Sequence, residues 1–471
     1  MGRAARAKGQ GSEQRGRRLT LAKGLRFSCR QCGDCCRSTP VLLTDEEVAR
    51  YDARDWTSVL GYPAPLVHDT ARVGGMRGQF LRRKPDGTCL FLGSDALCEI
   101  HRHLGEAEKP LTCRVFPFRF VPGAGEGPPL VGAQFACSSI AAGDGEALSA
   151  RRRGLEELQE EVARQHAQAP RLAPVRFAGP LSYAPEQVEE LLDLMVKELE
   201  DAGRPFPERF LAVVKFTSLV AGSKLERLDA GRDRPLVSAF AEGIHEQARR
   251  GLLRPRPLPP SLPERILFRQ LLAMGVRRDP AWLLRAGFLR RATRRLGNLL
   301  AGLTFMAGSG VCLPVGRERR VALGEVRRRA PPADPYSPEA DGALTRYFVA
   351  QLSGRVLLSS GFAVPELVPA LGLLFRQLPI VLLLARAACL SRGGGELTRD
   401  DYASALRGAD WNFGRVPWTA GPIGRVRARL LGDVEACFQH LAWCAVPPAA
   451  AGGAPPALPP PGAQPPGTAS S

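Results

Sequence analysis

Eight of the twelve cysteines in this 471-residue chain lie between Cys29 and Cys137, and four of them are packed into Cys29-Arg-Gln-Cys32-Gly-Asp-Cys35-Cys36. No other feature limits the fold so strongly. A Cys-x2-Cys turn lets two thiolates face one soft ion, and Gly33 relieves the backbone where it bends tightly. Cys35 and Cys36 are adjacent, and neighbouring side chains usually diverge, which makes a single local four-thiol site awkward. Cys89, Cys98, Cys113 and Cys137 supply partners downstream. Eight thiols can serve two four-ligand sites, or one cluster with spare thiols. Zinc and an iron–sulfur cluster both accept thiolate ligands.

Two plainer readings compete with a metal. Cysteines can be small core residues, but four within eight positions are too dense for that. They can be disulfide staples, which need an oxidising compartment. The basic segment Met1–Arg26 is not followed by an apolar stretch of the secretory kind, so the chain reads as cytoplasmic, where clustered thiols more often bind metal. His101 and His103 lie near Cys98 and carry ligand-capable rings, although their polar turn suits surface residues. Cys312, Cys389, Cys437 and Cys444 sit in apolar helical contexts and read as core.

The formal charge of +18 favours anionic partners in principle. The Ala/Arg/Gly/Pro-rich composition with few lysines explains much of the arginine as codon bias, and a nucleic-acid role is not expected. The longest apolar stretch, Leu367 to Leu390, is interrupted by Arg376, Gln377, Pro379 and Arg386. It reads as a buried helix pair, with no transmembrane segment.

Four regions follow from pattern: a basic tail over 1–24, a cysteine-rich domain over 25–145, a helical region over 146–446, and a Pro/Ala/Gly tail over 447–471. Both tails have the composition of disordered segments. An Arg/Pro-rich connection near 313–337 splits the helical region. Thr44-Asp45-Glu46-Glu47 predicts a helix start with a capping box between Thr44 and Glu47. Residues 79–82, 89–92, 116–120 and 134–137 read as short strands and loops around a metal. From Leu155 onward apolar spacing turns helical. Pro185 marks one helix start, and further helices are expected near 207–221, 236–250, 262–275, 281–305, 338–358, 364–390, 398–407 and 423–445. The expected fold class is mainly α: a small irregular α+β cysteine-rich domain followed by a larger helical region.

The order Phe27-x-Cys29-x2-Cys32-Gly33-x-Cys35-Cys36, Leu43-Thr44-x-Glu46-Glu47, Cys89-x-Phe91-Leu92, Cys98-x-Ile100 and Thr112-Cys113-Arg114-x-Phe116-Pro117 resembles a bacterial cysteine-cluster family, the zinc- or iron-chelating CxxCxxCC domain. The longer Cys98–Cys113 interval, Cys137-Ser138 and the order of Leu344-x2-Tyr347-Phe348, Leu397-Thr398-x-Asp400-Asp401 and Trp411 to Arg415 look like its flagellin lysine N-methylase branch. Lys109-Pro110 stands where the short members carry Arg-Pro. The branch resemblance implies methyl transfer from S-adenosylmethionine to a lysine of a protein substrate, beside a metal centre.

The residues give no independent donor site. Gly123-x-Gly125-x-Gly127 lacks a strand–helix context and reads as a surface loop. Cys29, Cys32 and Cys36 carry the spacings of a radical-type cluster in reverse. Arg114 and Arg119 are suited to hold an anionic group or to offset thiolate charge, the second reading being preferred, and Asp34 and Asp86 read as turn formers. Three functions remain open: a functional metal cluster of iron–sulfur or zinc type, a protein-lysine methyltransferase, and an interaction module stapled by zinc. The metal ligands are expected among Cys29, Cys32, Cys35, Cys36, Cys89, Cys98, Cys113 and Cys137.

Overall fold

The computed structural model describes residues 19–445 apart from 63–66, 74–75, 125–126, 166–173, 179–180, 224–232, 254–257, 277–292, 294–295, 298–299, 306, 313, 317–318, 332, 359–363 and 414–420. Residues 1–18 of the basic tail expected over 1–24, the tail expected over 447–471, most of the helix expected at 281–305, and Arg415 lie outside the described residues; residues 19–24 are not tail-like, since Thr20–Leu21 forms a strand and Leu19 and Ala22 are buried. The fold is mainly α, with a small α+β portion at the N-terminal side.

That portion has its own core. Val41, Leu43, Tyr51, Trp56, Leu81, Phe91 and Ile100 are buried together, and Cys36, Cys89, Cys98 and Cys113 pack into or against them. The helix Asp45–Asp52 begins with the expected capping box. Thr44 Oγ1 accepts from the Glu47 N–H, and Glu47 Oε2 accepts from the Thr44 N–H. Each bond satisfies a donor that a helix start leaves without an intrahelical partner. Glu47 does more than cap, since its Oε1 accepts from the Leu111 N–H at 2.6 Å. The Trp56 ring lies 4.8 Å from Tyr51 and 4.9 Å from Phe91, a separation at which tilted aromatic pairs attract.

The second and larger core belongs to the helices, and the chain enters it twice from the N-terminal side. Thr20–Leu21 pairs in parallel with Leu130–Ala133, which pairs antiparallel with Phe118–Val121. Arg26–Phe27 pairs antiparallel with Glu146–Ala147. Phe27, Phe118, Phe135 and Ile140 are buried in one cluster with the helical residues Leu192, Phe210, Phe348, Leu371 and Leu406. Of the segments read as short strands and loops, 79–82 and 116–120 overlap the strands Met76–Leu81 and Phe118–Val121. Residues 89–92 and 134–137 are the turns of that set. Their apolar side chains meet the core without a ladder, and Cys89 and Leu92 make single bridges to Arg83 and Cys98.

The helical expectations hold with breaks where the backbone demands them. Pro185 opens the helix Pro185–Leu199 at its first turn. Pro338–Ser353 stops at Gly354, and Arg355 adopts φ +50 before a short 3-10 turn. The apolar stretch forms Leu367–Phe375 and Gln377–Arg392, and it is covered by the protein's own helices. Arg376 sits at the break, buried, and donates to the carbonyls of Leu430, Leu431 and Asp433. Those carbonyls end the helix Gly421–Gly432, so a cation meets the negative end of a helix. Gly372 permits the approach, because a Cβ there would stand 1.9 Å from the Leu431 oxygen.

Candidate metal centre

All eight N-terminal cysteines line one cavity of about 660 Å3. Cys29 and Cys32 lie on the exposed loop that leads into the short helix Asp34–Ser38, which carries Cys35 and Cys36. Gly33 takes φ +67 at this entry, as the motif requires. A Cβ there would also press to 3.1 Å from the Ala96 carbonyl oxygen. Cys98 stands at the start of Glu99–Leu104, Cys113 within Leu111–Val115, and Cys137 at the start of Ser138–Ala142.

The cavity has two sides. Cys36, Cys89, Cys98 and Cys113 belong to the small core. Cys137 packs on the large core, and Ser138 Oγ lies 3.3 Å from Cys32 Sγ. The opening quartet is therefore divided between the two sides. Cys35 Sγ lies 3.9 Å from Cys36 Sγ. Among the described residues, no three His, Cys, Asp or Glu side chains converge within reach of a single ion as the side chains stand.

Burial and mutual proximity govern the thiols. The hydrogen bond between Cys35 and Cys36 pulls Cys35 down to about 7, with the Lys109 charge adding to it. The same bond, then burial, then the charge of Cys35, and after it the nearness of Cys89 and Cys113, push Cys36 far above the ordinary thiol range. Burial pushes Cys89 and Cys137 up to about 11 each, and Cys113 well above its usual value. Cys36, Cys89, Cys113 and Cys137 therefore stay protonated near neutrality unless a cation is present, and a bound metal reverses that balance. The donor set fits zinc or iron–sulfur chemistry: it is all soft sulfur, and Lys109 and several arginines on the walls offset thiolate charge.

Most of those arginines are already engaged. Arg114 forks onto Glu161, with Nη1 2.6 Å from Oε2, tying the Cys113 segment to the helix Arg152–Gln165. Arg30 pairs with Asp144, and Arg151 lies over the Phe27 ring at 5.3 Å. His103 pairs with Glu99, while His101 is exposed at the cavity edge. Asp86 forms the expected turn by accepting from the Thr88 N–H. Asp34 does not form a turn; it heads a helix and pairs with Arg407. Cys312, Cys389 and Cys437 are buried away from the cavity, as expected of core thiols, and the Cys444 side chain lies outside the described residues.

Sequence reading missed one wall. Arg407 and Trp411, four residues apart on the helix Arg399–Phe413, line the same cavity. In sequence, Trp411 stands out only by its place in a motif order. Nothing local in sequence connects Arg407 to a loop near residue 34.

This is a cysteine-lined cavity at the seam of a small α+β unit and a helical one. Residues 28–129 match the CxxCxxCC family model, described as "Putative zinc- or iron-chelating domain". No curated protein and no solved structure matches the chain. The lysine N-methylase branch thus draws no support from relatives. Cys137, Arg407 and Trp411 lie beyond the matched span.

Proposed function

We propose that the cavity holds a zinc or iron–sulfur centre on cysteine thiolates. Cys36, Cys89, Cys98 and Cys113 form the inner set with Cys35 beside Cys36, Cys32 and Cys137 stand on the other side, and Cys29 lies on the exposed loop. The observation that carries this reading is the convergence of all eight cysteines, from separate segments, on one cavity. The family match to a chelating domain supports it. Such a centre stabilises the small unit, because binding energy at a thiolate site is also folding energy. Its further chemistry depends on the metal. An iron–sulfur cluster would supply electron transfer, whereas zinc closed by four thiolates serves as a structural staple.

Purification without oxygen, followed by iron, zinc and sulfide analysis and a visible spectrum, tests the reading. Brown protein with iron and sulfide selects the cluster, and colourless protein with stoichiometric zinc selects zinc. Protein that takes up neither metal after reconstitution would overturn the proposal. Among the described residues the cavity adds nothing that favours S-adenosylmethionine or methyl transfer.

A further inference from the structure

Arg407 reaches the metal-site loop from the far end of the chain. It is buried, at 8 % exposure, on the helix Arg399–Phe413. Its guanidinium pairs with the Asp34 carboxylate. Its Nε donates to the Ala136 carbonyl at 3.4 Å. Asp34 immediately precedes Cys35-Cys36, and Ala136 immediately precedes Cys137. One side chain therefore spans the two banks of the cavity.

The same helix also grips Ala136 from its other polar group. Asp410 Oδ2 accepts from the Ala136 N–H at 3.0 Å, and Gln351 Nε2 donates to Asp410 Oδ1 at 3.1 Å. Residues 407 and 410 stand one turn apart, which places both on one face of a helix. Both main-chain polar groups of the residue before Cys137 are thereby fixed by a single rigid element. Farther along, Arg346 donates to the Ala141 carbonyl at 2.7 Å, and Arg399 bonds the Ala142 carbonyl. The helical region clamps the whole segment that bears Cys137.

We propose that Arg407 is a positioning residue for the metal centre: by joining Asp34 to Ala136 it sets the Cys35–Cys36 helix against Cys137 across the cavity. This rests on the thiolate-centre reading above. The metal geometry then depends on residues outside the span that matches the chelating family. Partners of this kind orient ligands, and their loss commonly costs about 10–100-fold in metal affinity.

Cobalt(II) added to the metal-free, reduced full-length chain is the probe. Its visible bands report coordination geometry, and its near-ultraviolet bands report thiolate ligation. Arg407→Met is expected to keep its far-ultraviolet circular dichroism, weaken cobalt binding by about tenfold, and shift the visible bands. Asp34→Asn should reproduce both changes, and Asp34→Asn with Arg407→Met should be no worse than either alone. Arg407→Lys, which keeps the charge, should recover part of the affinity. A wild-type titration and spectrum in Arg407→Met would overturn the inference, and so would additive losses in the double variant. Should Arg407→Met fail to fold, Asp34→Asn decides alone, and a wild-type spectrum in it overturns the inference. If the folded wild-type chain takes up neither cobalt nor zinc and assembles no iron–sulfur cluster on reconstitution, the thiolate-centre reading itself fails, and the inference with it.

Discussion

The main-chain N–H of Cys89 donates to the carbonyl oxygen of Cys36 at 2.9 Å. The last thiol of the opening quartet and the first thiol downstream are thereby held side by side in the small core. Cys98 and Cys113 pack against the same core. Backbone bonding and core packing thus already bring this part of the discontinuous constellation together.

Substitution within this inner set should remove metal. Cys36→Ser, Cys89→Ser and Cys113→Ser are each expected to lower metal affinity by at least about tenfold and to lower the melting temperature of the metal-loaded protein. Cys389→Ser, whose thiol bonds the Gly395 carbonyl far from the cavity, should keep its metal. Elemental analysis after gel filtration, with a thermal melt, reads both effects. Full metal retention in all three inner variants would remove them from the ligand set.

Metal uptake should depend on pH with a definite sign. Ligation requires thiolates, while Cys89 and Cys137 are raised to about 11 in the metal-free state. Zinc binding should therefore release protons, and affinity should rise between pH 6 and 8, measurable with a weakly buffered indicator dye. The metal-free fold should show the opposite trend at higher pH. A thiol whose folded value exceeds its unfolded value of about 8.5 contributes stability below that value and loses it as pH climbs toward 11. Cys35, lowered to about 7, acts in the other direction only between roughly 7 and 8.5. Denaturant unfolding of metal-free protein should thus show lower stability at pH 10 than at pH 8.5.

Glu47 joins the capping box to the helix that carries Cys113. Its carboxylate, 5 % exposed, accepts from the main chain of both Thr44 and Leu111. Glu47→Ala leaves the buried Leu111 donor without its partner and should cost about 1–3 kcal/mol. Thr44→Ala removes only the cap and should cost about 1 kcal/mol. Urea unfolding of the two variants measures the difference. Equal losses would show that the Leu111 bond adds nothing.

What the sequence revealed was what it encodes locally. The Thr44–Glu47 box, Pro185 at a helix start and the need for glycine at 33 each depend on a few neighbouring residues. The division of the cysteine quartet did not show, because it depends on which core each thiol meets. Phe27 and Phe118 were read as part of the cysteine-rich region, yet their rings meet at 5.1 Å inside the helical core. The pairing of Asp34 with Arg407 joins residues 373 positions apart, and no periodicity or motif carries such information. Which of the short segments are strands and which are turns, as at 89–92, is not legible, because apolar character marks burial and burial alone does not distinguish a turn from a ladder.

Asp401 offers a test inside the helical unit. Its side chain is fully buried and accepts from the Thr398 N–H and hydroxyl at 3.0 Å each and from Arg392 at 2.9 Å. Burial opposes its charge, but the bonds from Arg392 and Thr398 prevail and hold the carboxyl below its usual value. A lowered folded value contributes stability above the unfolded value of about 4 and loses it as pH falls through the folded one. Asp401→Asn should cost about 1–3 kcal/mol at neutral pH, and the gap to wild type should narrow below pH 4. A gap that is constant from pH 7 to pH 3 would contradict the ionic role.

X-ray absorption at the zinc and iron edges of the protein purified without oxygen reads the ligands of the centre itself. A first shell dominated by sulfur is expected, at about 2.3 Å if the metal is zinc, with its partial loss in Cys36→Ser. A shell of nitrogen and oxygen alone, or a sulfur shell unchanged when the inner cysteines are replaced, would contradict it.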